Sequence, residues 1–174
     1  RLLGLADDEI TRLTDDIANL LHKHDAEADW LRLEITESAV MEGPESALLR
    51  LVGLADMGLE LSMDDYGTGY SSLTYLKRMP LSELKIDRSF VQNITGDQKD
   101  ALIVGSTIEL GHSLGLRVVA EGVEREEDWI GLQMLGCDVA QGFFLGRPMP
   151  PEGLVAWLEE TGRPYLSVAP ISQG

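Results

Sequence analysis

Apolar residues recur three and four positions apart through residues 7–24 (DDEITRLTDDIANLLHKH), at Ile10, Leu13, Ile17, Leu20 and Leu21, which predicts an amphipathic helix. Acids near its start and Lys23 near its end suit the helix dipole. Beyond it the period changes. Five short runs predict strands: Leu31 to Thr36 (LRLEIT), Leu59 to Asp64 (LELSMD), Leu84 to Asp87 (LKID), Leu116 to Ala120 (LRVVA) and Asp138 to Gly142 (DVAQG). Helices are predicted between them near residues 44–57, 71–79, 98–114 and 125–135, and a last one over 151–161 is introduced by Pro150 and Pro151.

Strand and helix alternate, so the chain is α/β and its strands form parallel, right-handed βαβ units. Such units close into a doubly wound sheet or a (β/α)8 barrel, and five strands are too few for the second. No internal repeat interrupts the pattern. One domain is expected over residues 1–163, with an irregular tail over 164–174.

Each strand run carries or ends in a polar group: Glu34 and Glu37 with the first, Asp64 and Asp65 with the second, Lys85 with the third, Glu121 with the fourth and Gln141 with the fifth. In parallel α/β folds the carboxyl ends of the strands open onto one face, where sites form. Taken singly, such an acid caps the next helix and a strand lysine is solvated. Taken together they point to a site. Carboxylates gathered there repel unless cations sit between them, and hard divalent ions are the natural partners of oxygen ligands. A pair of ions roughly 3.5–4 Å apart clamps a phosphodiester and activates water. In Asp64 to Leu73 (DDYGTGYSSL), Gly67 and Gly69 permit a tight turn and Ser71 or Ser72 can cap the following helix.

Charge sharpens this reading. Thirty acidic against fourteen basic residues give −16, which leaves no basic stripe for DNA and requires metal ions to supply positive charge to any phosphate ligand. The lone Cys137 makes no internal disulfide and no run is long and apolar enough to span a membrane, so a cytoplasmic setting is expected, with any tether lying elsewhere in a parent protein.

The runs LEITES (Leu33 to Ser38), DDYGTGYSSL, LKIDRSFV (Leu84 to Val91), VVAEGVE (Val118 to Glu124) and AQGFFLGRPMP (Ala140 to Pro150) resemble the EAL-domain family, in that family's order. The resemblance implies a TIM-like (β/α)8 barrel and a phosphodiesterase that linearises cyclic di-GMP to pGpG with two Mg2+ or Mn2+ ions. It implies Glu34, Asp64, Asp65 and Glu121 as metal ligands, and a catalytic set of Lys85, Glu121 and Glu37. In that set Lys85 works with the metal-bound water and Glu37 holds the loop after Asp65. Glu124 resembles a supporting acid and Gln141 a contact in the substrate network. Phe143, Phe144 and Pro148 to Pro150 lie where the family's substrate-side loop does, and each phenylalanine either flanks a guanine or joins the core.

No Glu-Ala-Leu tripeptide occurs in the 174 residues, and the family's ligand asparagine, in an Asn-Leu-Ser run, is expected just before Arg1. Asn19, on a helix, and Asn93, in a loop, do not replace it. The expectation is therefore a chain lacking about three N-terminal strands of the eight, with impaired activity, or two chains completing each other. The competing function is a non-catalytic cyclic-di-GMP receptor; a structural dimerisation module comes third. The resemblance further implies a homodimer and additional sensor or cyclase domains in the parent protein.

Overall fold

The computed structural model describes residues 7–67 and 73–161. Gly69, Ser71, Ser72 and the tail over 164–174 lie outside the described residues. In chain order the elements are α1 (Asp7–His24), a short 3-10 turn (Ala28–Trp30), β1 (Arg32–Thr36), α2 (Glu37–Met41), α3 (Pro44–Asp56), β2 (Glu60–Tyr66), α4 (Leu73–Leu76) and β3 (Glu83–Ile86). They continue with α5 (Arg88–Val91), α6 (Gln98–Ser113), β4 (Arg117–Ala120), α7 (Glu126–Met134), β5 (Val139–Ala140) and α8 (Pro151–Thr161). Two compact units divide the chain between Lys85 and Ile86, with Leu114–Leu116 belonging to the first unit.

In the first unit the strands follow the order β1-β2-β3. β1 and β2 run parallel with Arg32 beside Glu60, Glu34 beside Ser62 and Thr36 beside Asp64. Because strand side chains alternate between faces, Arg32, Glu34, Glu60, Ser62, Glu83 and Lys85 fall on one face, whereas Leu33, Ile35, Leu61, Met63 and Leu84 fall on the other. All four residues of β3 are buried, charged ones included. A strand covered on both faces explains this, as parallel sheets usually are. The helix α3 starts with Pro44 in its first turn, a position that needs no N–H, and buries Ala47, Leu51 and Leu54 along one stripe.

The second unit holds Ile86, β4 and β5, with β4 and β5 parallel through Val119 beside Val139 and Ala120 beside Ala140. Its core joins Ile86, Val104, Ile108, Val118, Val123 and Leu132, among others. Cys137 lies in that core, where burial pushes its thiol up to about 12, so it stays protonated and inert.

The sequence expectations hold closely for α1, α3, α6, α7 and α8. Three places differ. The helix predicted over 71–79 is described only as Leu73–Leu76, and it ends in turns because Pro80 disfavours helical backbone at Met79. The fifth strand shrinks to two residues, since the chain turns away after Gln141 N–H reaches Ala120 O at 2.8 Å. Two single-turn helices, α2 and α5, follow β1 and β3 directly; α5 is nucleated by Asp87, whose Oδ1 accepts from Ser89 N–H at 3.0 Å.

Candidate functional site

In the first unit the polar face of β1–β3 ends in acids. Lys85, only 4% exposed, extends its ammonium to Glu34 Oε1 at 2.6 Å and lies 3.4 Å from Asp64 Oδ1. The first contact is a charge-assisted hydrogen bond. The second is an ion pair without hydrogen-bond geometry, so Asp64 Oδ1 is buried and accepts no hydrogen bond. Lys85 is therefore not a solvated strand lysine: β3 is buried over its whole length, and Lys85 is paired with carboxylates.

Asp64 and Asp65 are consecutive strand residues and would ordinarily point to opposite faces. Asp65 instead adopts φ of 54°, in the left-handed region. Aspartate tolerates that conformation better than most residues. The alternation breaks there, and carboxylate oxygens of Asp64 and Asp65 come within 4.8 Å of each other. A left-handed residue inside a strand is uncommon, and here it accompanies two neighbouring carboxylates.

Glu37, buried at the start of α2, accepts the N–H of Gly67 at Oε2, 3.1 Å away. This ties the turn after Asp65 to the end of β1. Between them Tyr66 has its phenol pKa raised, first by burial and then by the negative charge of Glu37, and stays neutral at ordinary pH.

In the second unit, Glu121 directly follows β4 and its N–H donates to Ile86 O at 3.1 Å. Gln141 directly follows β5. Glu124 accepts from Gln92 Nε2 at 3.1 Å on the surface. A cavity of about 400 Å³ is lined by Gln141, Phe143, Arg147, Pro148, Met149 and Trp157, with others. The two phenylalanines separate: Phe143 is 53% exposed beneath the Arg147 guanidinium, 4.8 Å from its ring centre, whereas Phe144 packs on the core with its ring 6.0 Å from Trp129.

Arg32, Ser62 and Glu83 escaped the sequence reading, though the alternation R-L-E, E-L-S and E-L-K in the three strand runs was its signal. They form a separate cluster at the amino ends of the same strands, in which Arg32 donates to both Glu60 and Glu83 and Ser62 Oγ donates to Glu83 Oε1 at 3.1 Å.

The oxygen-only donor set at the carboxyl ends suits a hard divalent cation, and the buried, unbonded Asp64 Oδ1 is the kind of atom such an ion would complete. Polar residues follow the ends of parallel strands in each unit, as they do in α/β proteins whose sites form at the carboxyl ends of the strands. The EAL domain family matches residues 5–148, and the chain belongs to that family, with the (β/α)8-type fold of EAL domains. It is 51% identical over 144 residues to the bifunctional diguanylate cyclase/cyclic di-GMP phosphodiesterase MucR of Pseudomonas aeruginosa, covering 83% of this chain and 21% of MucR. The chain therefore spans about a fifth of that relative's length. A structure of the MucR phosphodiesterase with c-di-GMP matches with a TM-score of 0.79 and 51% identity, covering 82% of this chain and 57% of that one. A manganese and cy-diGMP complex of Klebsiella pneumoniae BlrP1 matches with a TM-score of 0.74 and 34% identity, covering 84% and 36% of the two chains. Among the described residues no helix is long and apolar enough to cross a membrane.

Proposed function

We propose that the protein carrying this chain hydrolyses cyclic di-GMP to linear pGpG, with Glu34, Asp64, Asp65 and Glu121 as ligands of Mg2+ or Mn2+. The observation that carries the reading is the pair Asp64 and Asp65, turned to one side by a left-handed residue inside a strand and accompanied by Glu34 and a buried lysine. Bound ions supply the charge neutralisation and Lewis acidity that phosphodiester cleavage requires. This chain's own residues do the rest. Lys85 orients Glu34 and carries a fixed positive charge where negative charge develops. Glu37 fixes the turn at Gly67 and through it the orientation of Asp65. Glu121 follows β4 as a ligand and catalytic residue, and Gln141 and Glu124 serve substrate binding, on the strength of the motifs that contain them. The exposed Phe143 flanks a guanine, and the half-buried Phe144, packed against the core, supports it.

We propose further that the domain runs over residues 1–163 with a tail over 164–174, in a cytoplasmic, homodimeric protein that carries further sensor or cyclase domains; the cyclase in the name of MucR supports only the last of these. The test is incubation of the natural protein with cyclic di-GMP and Mn2+ or Mg2+, followed chromatographically. Metal-dependent appearance of pGpG is expected. Metal-independent binding without turnover would replace this reading with that of a receptor.

A further inference from the structure

The loops that follow β4 and β5 are tied together along their backbones. Gln141 N–H donates to Ala120 O at 2.8 Å, Val123 N–H to Gln141 O at 3.0 Å and Phe144 N–H to Val123 O at 3.0 Å. The Phe144 ring, set against Trp129, anchors the second loop in the core. A methyl group has no place in this contact: a Cβ built on Gly142 would stand 2.1 Å from Val123 O and 2.3 Å from Val123 N. Those atoms are backbone and are held by the same hydrogen bonds, so they do not swing aside as a side-chain tip would.

The same segment is confined on its other side. Gly122 has φ of +70°, and a Cβ there would stand 2.4 Å from the Cβ of Arg88 and 3.3 Å from its Cα. Arg88 opens α5, immediately after the strand end whose Ile86 O accepts from Glu121 N–H at 3.1 Å. Residues 121–123 are thus clamped between residue 88 and residue 142, with no space for one carbon on either side.

We propose that Gly122 and Gly142 are positioning residues: they seat the 121–123 segment between α5 and the loop after β5, and so fix where Glu121 and Gln141 project. Neither glycine needs to touch substrate. The proposal rests on the reading of Glu121 as a metal ligand and Gln141 as a substrate contact. Glu121 is one peptide from Gly122, and Gln141 one from Gly142, so a shift forced at either glycine reaches the functional side chain undamped. Displacement of a reacting group by about 1 Å is worth about 100-fold in rate.

The experiment uses the natural protein with Gly142→Ala, Gly122→Ala, Arg88→Gly and the double variant Gly122→Ala/Arg88→Gly. Gly53→Ala in α3, where a Cβ meets nothing within 4 Å, is the control. Unfolding midpoint, Mn2+ dissociation constant, and kcat and KM for cyclic di-GMP are measured for each. Gly142→Ala is expected to lower kcat by about 100-fold and weaken Mn2+ binding by about tenfold or more, with a smaller change in KM. Gly122→Ala moves in the same direction. Arg88→Gly removes the atom in its way, so the double variant recovers at least about tenfold of the lost kcat while keeping a lowered midpoint from the residual backbone strain.

A folded Gly142→Ala protein with kcat and Mn2+ affinity within about twofold of the parent overturns the proposal, as does a change confined to the unfolding midpoint. Should Gly142→Ala fail to fold, the Gly122 and Arg88 pair decides: no recovery in the double variant overturns it. A parent that binds Mn2+ but leaves cyclic di-GMP intact sinks the hydrolase reading alone, and the Mn2+ titrations still test the clamp. Glu121→Gln with unchanged Mn2+ affinity removes the assigned role of Glu121 instead.

Discussion

The two ends of the polar face on β1, β2 and β3 are built from the same materials and do opposite things. At the amino ends one cation, Arg32, is hydrogen-bonded to two carboxylates, Glu60 and Glu83, and Ser62 takes up the second oxygen of Glu83. At the carboxyl ends one cation, Lys85, reaches Glu34 and Asp64 while Asp65 adds a third carboxylate beside them. Burial alone would lower the pKa of Arg32, but its hydrogen bonds and the charges of Glu60 and Glu83 outweigh that and raise it. The amino-end set is closed. The carboxyl-end set has one more acid than the other and a buried carboxylate oxygen, Asp64 Oδ1, that accepts no hydrogen bond. A closed set holds strands together, and an open one of oxygen donors is of the kind that suits a hard cation.

The largest expected effect breaks the open set. Asp64→Asn and Asp65→Asn should each weaken Mn2+ binding by more than about 100-fold, beyond what loss of a merely supporting group causes, and reduce hydrolysis at least as much. In EDTA the same variants should melt close to the parent temperature, because the repulsion each relieves among the three carboxylates offsets the attraction to Lys85 that Asp64→Asn gives up. Titration with Mn2+ and calorimetry in EDTA check the two halves. A large drop in the metal-free melting temperature would mean that the carboxyl-end acids are structural after all.

Breaking the closed set should do the reverse. Arg32→Met strands Glu83, whose side chain is 3% exposed, and is expected to cost about 3 kcal/mol of stability. Urea unfolding measures it, and kcat of the folded fraction should stay near the parent value. A variant that keeps its stability and loses kcat would exchange the roles of the two ends.

Most of this fold could be read from the sequence because long apolar periods survive burial: α1, α3, α6 and α8 stand where their patterns put them. Short elements escaped, since a single turn such as Arg88–Val91 has no period to detect and depends on one cap, Asp87. The candidate site was legible as residue types at strand ends but not as geometry. Nothing in DDYG announces that Asp65 takes a left-handed backbone, and a lysine flanked by Leu84 and Ile86 could face water as readily as the carboxylates it does face. The Arg32 cluster was visible as strict alternation in three runs, yet alternation ordinarily marks a solvated face, and here Ser62 and Glu83 on that face are buried.

The left-handed residue gives a smaller and sharper test. Asp65→Asn keeps a side chain that tolerates positive φ, whereas Asp65→Val does not; both lose the ligand. Valine should therefore be less stable than asparagine by about 1–2 kcal/mol in EDTA, at equal loss of Mn2+ binding. Equal stabilities would mean that the strand relaxes, and that the side-by-side placement of Asp64 and Asp65 is not imposed by the backbone.

The smallest effect concerns an acid that follows the carboxyl end of β3 and yet behaves like the closed set. Asp87 accepts from both the N–H and the hydroxyl of Ser89, so its charge is satisfied within its own turn. Burial raises its pKa, but those hydrogen bonds, with the Arg88 N–H and charge, outweigh it and hold the carboxyl below its ordinary value. A depressed folded pKa stabilises the protein above the unfolded carboxylate pKa of about 3.9, and that contribution is lost as pH falls through the folded value. Asp87→Asn keeps a capping oxygen but loses the charge, and should lower stability near neutral pH by no more than about 1 kcal/mol. The difference between parent and variant melting temperatures should be flat above about pH 5 and shrink as the pH is lowered through the unfolded value and below, to the lowest pH at which both remain folded. A difference that stays constant across that range would assign the cap to geometry alone and remove Asp87 from the acids whose charge the fold closes.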